Sequence, residues 1–187
     1  FGDAGCATAF EFNEGKNINF KLWTDGSGFQ SIIIPDGGYR NRFSEESLCL
    51  MEDKDGNKRT KVNPKMNGTD VFSFGITQVP REMKSFLKQM SKAVSDIDYF
   101  LFHQANKFML EMIRKKLKLG SIQVPYSIIK YGNTSSASIP LTLSLLGNEA
   151  RNKKIAICGF GVGLSIGSGY FETGDVFVNE IIEYEGY

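Results

Sequence analysis

The sequence predicts a layered α/β fold, and three observations carry that prediction. From residue 70 onward the apolar residues recur at three- and four-residue steps, the spacing of amphipathic helices. Between those stretches lie short apolar runs, 98–102 and 155–158, of the kind that fill a buried strand. The resulting order is helix, strand, helix, strand, helix, strand, strand, and alternation of that kind builds a sheet covered by helices.

Each element has its own warrant. Residues 1–12 alternate loosely before the polar tip Asn13 to Lys16, which predicts a strand and a turn. Residues 18–24 (INFKLWT) predict a second strand, stopped by the Asp25–Gly28 turn. Phe29 to Ile34 predicts a short apolar strand, and 45–62 a polar hairpin or loop with Asp55-Gly56-Asn57 at its tip. The basic run Lys54 to Lys61 reads as a solvated loop, because Asp55 dilutes it and no aromatics interleave with it. Phe72, Ile76, Val79, Met83, Phe86, Met90 and Val94 then predict one helix face, with Thr69 as N-cap and Pro80 kinking or dividing it.

The cleanest helix covers 104–118. Its apolar face is Ala105, Phe108, Met109, Met112, Ile113 and Leu117; Lys107, Glu111, Arg114, Lys115 and Lys118 face the other way, and Gly120 ends it. An extended segment is expected at 122–129. A helix from about Ser136 to Leu146 follows, uncharged all round and therefore buried, with Pro140 tolerable near its first turn. Strands are expected at Ile155–Cys158 and Leu164–Phe171, joined by a flexible turn at 159–163 (GFGVG).

Composition excludes several classes. The chain has 187 residues and a formal charge of 22 − 21 = +1, so bulk charge does not drive nucleic-acid binding. Apolar residues at 41% and charged residues at 23% rule out a disordered chain. Neither long uncharged stretch, 131–148 with six Ser/Thr or 155–171 with five glycines, supplies about 20 mainly apolar residues for a membrane span. Three dispersed cysteines, Cys6, Cys49 and Cys158, suit reduced thiols in a cytoplasmic setting and read as small buried apolar groups. One histidine leaves no zinc set, and the acids near Asp53 lack a calcium-loop register, so no metal is implied. The chain begins at Phe1 inside an expected strand, which suggests a piece of something longer.

Few residues offer chemistry. His103 follows an apolar strand directly, and the carboxyl ends of strands are where open α/β sheets hold ligands. It is equally open to being a histidine that caps its own strand. Asn133, in YGNTSSAS at 131–138, is either an ordinary cap or a second polar donor beside His103. The turn 159–163 lacks the following helix that a nucleotide fingerprint needs; its glycines suit close backbone approach with N–H groups free for an oxyanion. Gly163-Leu-Ser165-Ile-Gly167 has nucleophile-elbow spacing, but a strand follows it and the histidine precedes it.

Three strings, FHQAN at 102–106, YGNTSSASIP at 131–140 and GFGVGLSIGSG at 159–169, together resemble the C-terminal half of ketoacyl-acyl-carrier-protein synthase III. FGDAG at 1–5 and MNGTDVFSF at 66–74 fit the same family in the same order. The resemblance implies a thiolase-like layered fold. Residues 1–65 would hold the end of the first half plus a strand and loop insertion, 66–172 the C-terminal catalytic half of βαβαβ type, and 173–187 a tail of unassigned role.

The resemblance also implies decarboxylative condensation of an acyl-CoA with a malonyl-carrier-protein thioester, without a cofactor. His103 and Asn133 would be catalytic. Asn106, Phe160, Gly161, Val162 and Gly163 would contact substrate, and Lys107, Arg114 and Lys115 would meet the acidic carrier protein. The family's arginine on that surface is replaced by Phe108. The nucleophilic cysteine would lie in the chain's own N-terminal half, outside this sequence, and the full-length protein would be a homodimer, active where this piece alone is not. Two other readings stand beside it: a self-contained thiol hydrolase or transferase of Cys158, His103 and Asn133, and a non-catalytic module binding acyl-CoA or a carrier protein.

Overall fold

The computed structural model describes residues 1–53 and 56–184. Its framework is a four-stranded sheet assembled from distant parts of the chain: β1 (Asn19–Thr24), β6 (Tyr99–Phe102), β7 (Lys154–Gly161) and β8 (Ser165–Glu172), in the order β1-β8-β7-β6. β6 and β7 run parallel, and the other neighbours are antiparallel. Strand alternation sorts the side chains onto two faces. Phe100, Phe102, Ala156, Cys158 and Ile166 belong to the larger core, while Tyr99, Leu101 and Ile155 belong to a smaller one.

α1 (Gly68–Gln89) and α2 (Lys107–Leu117) cover the first face. They pack closely because Gly75 has no side chain: a Cβ there would lie 2.5 Å from the Met109 sulfur. The N-cap of α1 is Asn67 rather than Thr69, its Oδ1 accepting the Thr69 and Asp70 backbone N–H groups at 3.2 and 3.3 Å. Pro80 does not divide α1, which is continuous across it. A proline inside a helix costs about 3 kcal/mol. Val79, Met83, Phe86 and Leu87 on the same helix are all buried, each contributing roughly 1.5–3 kcal/mol, so packing outweighs the lost hydrogen bond. α2 starts later than expected, because Asn106 caps it, and ends on Lys118 in the left-handed conformation, two residues before Gly120.

α4 (Ser138–Leu146) covers the second face, preceded by a single turn at Ser135–Ala137. Contrary to expectation it is not buried all round: Ser138, Leu141 and Thr142 are, while Leu145 is exposed. Nearby, Phe20 and Leu22 of β1 are 66% and 83% exposed on that same face. No described element covers them.

β1 is tied to α1 by Lys21, whose Nζ donates to Glu82 Oε2 at 2.8 Å and to Ser85 Oγ at 2.9 Å. β1, from residues 19–24, pairs along its length with β8. Between β1 and α1 the chain forms small pieces: β2 (Ile32–Ile33) pairs with β5 (Lys65–Met66), and β3 (Met51–Glu52) with β4 (Lys58–Arg59). The β3–β4 pair is the expected hairpin; Lys54 and Asp55 of its basic run lie outside the described residues.

Other local expectations fail for tertiary reasons. Residues 1–12 form no strand; their start is held at the Asn133 loop, where Gly2 N–H donates to the Asn133 carbonyl at 2.9 Å. Residues 26–31 make a 3-10 turn capped by Asp25, leaving only Ile32 and Ile33 extended. Segment 122–129 gives one backbone bond to β6, Phe100 N–H to the Gln123 carbonyl at 2.7 Å, before the short α3 (Ile128–Tyr131). Cys6 and Cys49 are exposed, and only Cys158 is buried. The described tail, 173–184, contains no strand. No described helix is long and apolar enough to cross a membrane.

Candidate active site

β6 brings His103 to the carboxyl end of the sheet. The His103 backbone N–H donates to the Cys158 carbonyl at 2.8 Å, which carries the β6–β7 pairing one residue beyond the strand. The next residue locks the turn: Gln104 is fully buried, its Nε2 donating to the Phe102 carbonyl at 2.9 Å and its Oε1 accepting the Ile128 N–H at 3.2 Å. Asn106 then starts α2, its Oδ1 accepting the Met109 N–H at 2.7 Å.

The imidazole is held on two sides. Its Nδ1 lies 2.9 Å from Ser138 Oγ, and the Phe160 ring meets it edge-on with centroids 5.4 Å apart. Burial pushes the His103 pKa below the usual histidine value; a backbone hydrogen bond with Ser135 acts the other way and is the smaller effect. The ring is therefore neutral near pH 7 and offers one N–H and one lone pair.

Asn133 is oriented by its own loop. Its Oδ1 accepts the Ser135 N–H at 3.0 Å, an Asx turn, and its carbonyl accepts the Gly2 N–H. Among the described residues nothing accepts from Nδ2. His103 and Asn133, thirty residues apart in sequence, both line one cavity of about 750 Å³.

The same cavity is lined by Asn106, Phe160, Gly161 and Val162. Gly163 is not among its walls; with φ at +138° it makes the turn from β7 into β8. The glycine run is also less of a turn than expected, since Gly159, Phe160 and Gly161 belong to β7 and pair with β8. The strand continues because Gly159 and Gly161 fit the pleat opposite Gly167 and Ser165. Val162 projects from the strand end and is exposed.

Of the basic side chains, Lys107 and Lys115 are exposed. Arg114 is not free for a partner: it binds Glu111 Oε2 through Nε at 3.1 Å and a terminal nitrogen at 2.8 Å, and donates to the Leu119 carbonyl at 2.8 Å. Tyr126 O–H donates to the other oxygen of the same Glu111 at 2.6 Å. The partner of Glu111 on this helix is thus Arg114, three residues on.

The sequence reading did not single out Ser138, Met109 or Phe72, all of which line the cavity. Met109 and Phe72 were assigned to helix faces, and nothing in helical spacing separates a wall of a cavity from a wall of the core. Ser138 had a signal: a hydroxyl beginning an otherwise apolar helix must find a partner if that helix is buried.

A neutral imidazole and a carboxamide thus line one cavity at the carboxyl end of a parallel strand, beside a glycine-rich strand end, in a layered α/β fold. Residues 87–173 match the family model described as "3-Oxoacyl-[acyl-carrier-protein (ACP)] synthase III C terminal". Residues 87–173 thus belong to that family's C-terminal domain. It is 34% identical over 180 residues to a beta-ketoacyl-[acyl-carrier-protein] synthase III of Microcystis aeruginosa, covering 94% of this chain and 52% of the relative.

Two solved structures show the same fold. A crystal structure of a 3-oxoacyl-(acyl-carrier-protein) synthase III superposes with a TM-score of 0.79 at 34% identity, over 87% of this chain and 49% of that one. The 3-oxoacyl-(acyl carrier protein) synthase of Burkholderia xenovorans gives 0.77 at 32%, over 91% and 48%. The chain spans about half the length of the curated relatives it matches.

Proposed function

We propose that this chain is the C-terminal half of a condensing acyltransferase, in which His103 and Asn133 stabilise the enolate formed from a malonyl-carrier-protein thioester. The observation that carries the reading is the convergence on one cavity of a desolvated, neutral imidazole and a carboxamide whose oxygen is already engaged. When the malonyl group loses carbon dioxide, the electron pair of the broken C–C bond enters the thioester and its oxygen becomes anionic. Donors without net charge stabilise that oxygen while leaving the carboxylate of the substrate free to depart.

The enolate carbon then attacks an acyl group carried as a thioester on a cysteine of the first half, having come from acyl-CoA. The resulting oxyanion accepts a backbone N–H from the strand end at Gly161 and Val162, and the cysteine thiolate leaves. Asn106, Phe160, Gly161 and Val162 shape the approach for the substrate arm, with Gly163 setting the turn behind them. Lys107 and Lys115 offer the carrier protein its positive surface, with Arg114 spent on Glu111. Residues 66–172 form the catalytic half and 1–65 complete it with β1 and the insertion. The full-length protein is a homodimer, needs no resident cofactor and works in the cytoplasm.

Cys158 supports no rival nucleophile: it is fully buried, and burial pushes its thiol up to about 12. The experiment is to join this chain to its first half and compare the parent with His103→Ala and Asn133→Ala. Both substitutions should abolish decarboxylation of the malonyl thioester while acyl transfer from acyl-CoA to the enzyme continues. Condensation that survives either substitution refutes the assignment of that residue.

A further inference from the structure

We infer that Ser138 is a positioning residue that fixes which nitrogen of His103 carries the proton, holding it on Nε2. The inference rests on the condensing-enzyme reading for its purpose and on local hydrogen bonding for its content. Ser138 opens α4, is 1% exposed, and its hydroxyl stands between two groups of the β6 end. The Gln104 backbone N–H donates to Oγ at 3.3 Å, and His103 Nδ1 lies 2.9 Å from the same oxygen.

The first of these bonds has only one direction, because a backbone N–H cannot accept. It is also held in place, since the Gln104 side chain is clamped at both ends by Phe102 and Ile128. With a donor already on Oγ, the Ser138 hydroxyl hydrogen needs an acceptor, and a buried hydroxyl left without one is costly. Nδ1 is the acceptor at hand. The Ser135 carbonyl accepts the Ser138 backbone N–H and keeps a second lone pair, so it is the rival acceptor: a ring that donated Nδ1–H to it would carry the opposite tautomer, the outcome that the spectrum below reads.

If Nδ1 accepts, the single proton of the neutral ring sits on Nε2. The ring then presents an N–H, not a lone pair, at its other nitrogen, which is what a developing enolate oxygen requires. The opposite tautomer would place a lone pair against that oxygen and deprive the Ser138 hydroxyl hydrogen of Nδ1 as its acceptor. Phe160 blocks one side of the ring by its edge contact and leaves Ser138 to set the in-plane rotation.

His103 is the single histidine of this chain, so ¹⁵N-histidine labelling gives one imidazole whose two nitrogen shifts read the tautomer directly. The expected spectrum is that of the Nε2–H form, and Ser138→Ala should move it toward a mixture or toward Nδ1–H. An Nδ1–H ring in the unaltered chain overturns the inference without any variant, so a Ser138→Ala protein that fails to fold does not protect it. An unchanged tautomer in a folded Ser138→Ala chain overturns it as well.

In the protein that includes the first half, Ser138→Ala should lower kcat for condensation by about 10-fold or more, toward the ~10⁴ that a wrong-tautomer histidine costs a hydrolase triad. KM should stay within about twofold, since the hydroxyl is engaged by His103 and Gln104. Ser138→Thr, which keeps the hydroxyl, should restore both the spectrum and the rate. A failure of the condensing reading shows elsewhere, as activity retained by His103→Ala, and is told apart because it leaves the tautomer measurement as it was.

Discussion

Asn133→Asp tests the site more sharply than truncation does, because it inverts one atom and preserves the rest. The carboxylate keeps an oxygen where Asn133 Oδ1 accepts the Ser135 N–H at 3.0 Å, and the backbone bond from Gly2 is untouched. The loop geometry therefore survives, and only the Nδ2 donor is lost. Removing one preorganised donor from an oxyanion costs about 2.7–4 kcal/mol in the transition state, or roughly 10²–10³ in rate. The aspartate also places a negative oxygen beside the enolate oxygen. Two unit charges about 4 Å apart repel by roughly 4 kcal/mol at an effective dielectric of 20, so the combined loss exceeds about 10³-fold. The assay is release of labelled carbon dioxide from a malonyl thioester by the joined protein, with acylation from acyl-CoA followed by intact mass in parallel. Acylation should proceed normally and decarboxylation should fall below detection. Carbon dioxide release within threefold of the unaltered protein would falsify the role of Nδ2.

Three further outcomes follow from other parts of the molecule. Lys21→Met should destabilise the fold by about 3–5 kcal/mol, because breaking a buried pair leaves an uncompensated charge; Glu82, with its side chain 8% exposed, is that charge. Urea denaturation reads this, and a shift in midpoint worth less than about 1 kcal/mol would show the pair to be dispensable. Thiol labelling at neutral pH should modify exposed Cys6 and Cys49 promptly and reach Cys158 only on unfolding; rapid loss of all three native thiols would contradict the burial of Cys158. For pH, His103 binds its proton less readily folded than unfolded, so the unfolded chain holds more protons as pH falls below about 6.5. The stabilisation is therefore present above that pH and is lost as pH drops toward the folded value, with a slope of at most about 1.4 kcal/mol per unit from this group. Denaturation at stepped pH should show the slope, and His103→Phe should flatten it.

The legible parts of the fold were those set by local repetition. The helical faces of α1 and α2 and the apolar runs of β6 and β7 follow from side-chain spacing, because 3.6- and 2-residue periods put the same residues on the same face wherever the element packs. The order of those elements was enough to give a layered α/β sheet. His103 was legible by place, since a polar residue at the end of an apolar strand emerges where a sheet ends. The motif strings around it carried the resemblance that the comparisons bear out at the level of the family.

What failed in the sequence reading was decided by partners far along the chain. Pro80 reads as a kink or a division because propensity counts one missing hydrogen bond, whereas the helix is continuous across it, with buried side chains on either side. Residues 159–161 looked like a turn because glycines are permissive, whereas pairing with β8 makes them strand. Arg114 looked like a free cation until Glu111, Tyr126 and the Leu119 carbonyl closed around it. By itself the sequence determined which residues face inward and which few can do chemistry, since both follow from residue type and local period. Only the tertiary structure decided that Ser138 stands on His103 Nδ1, that Asn133 Nδ2 meets no acceptor among the described residues, and that Phe20 and Leu22 are exposed on the sheet's second face. Those are relations between segments, and a one-dimensional pattern holds no distance between residues that the fold alone brings together.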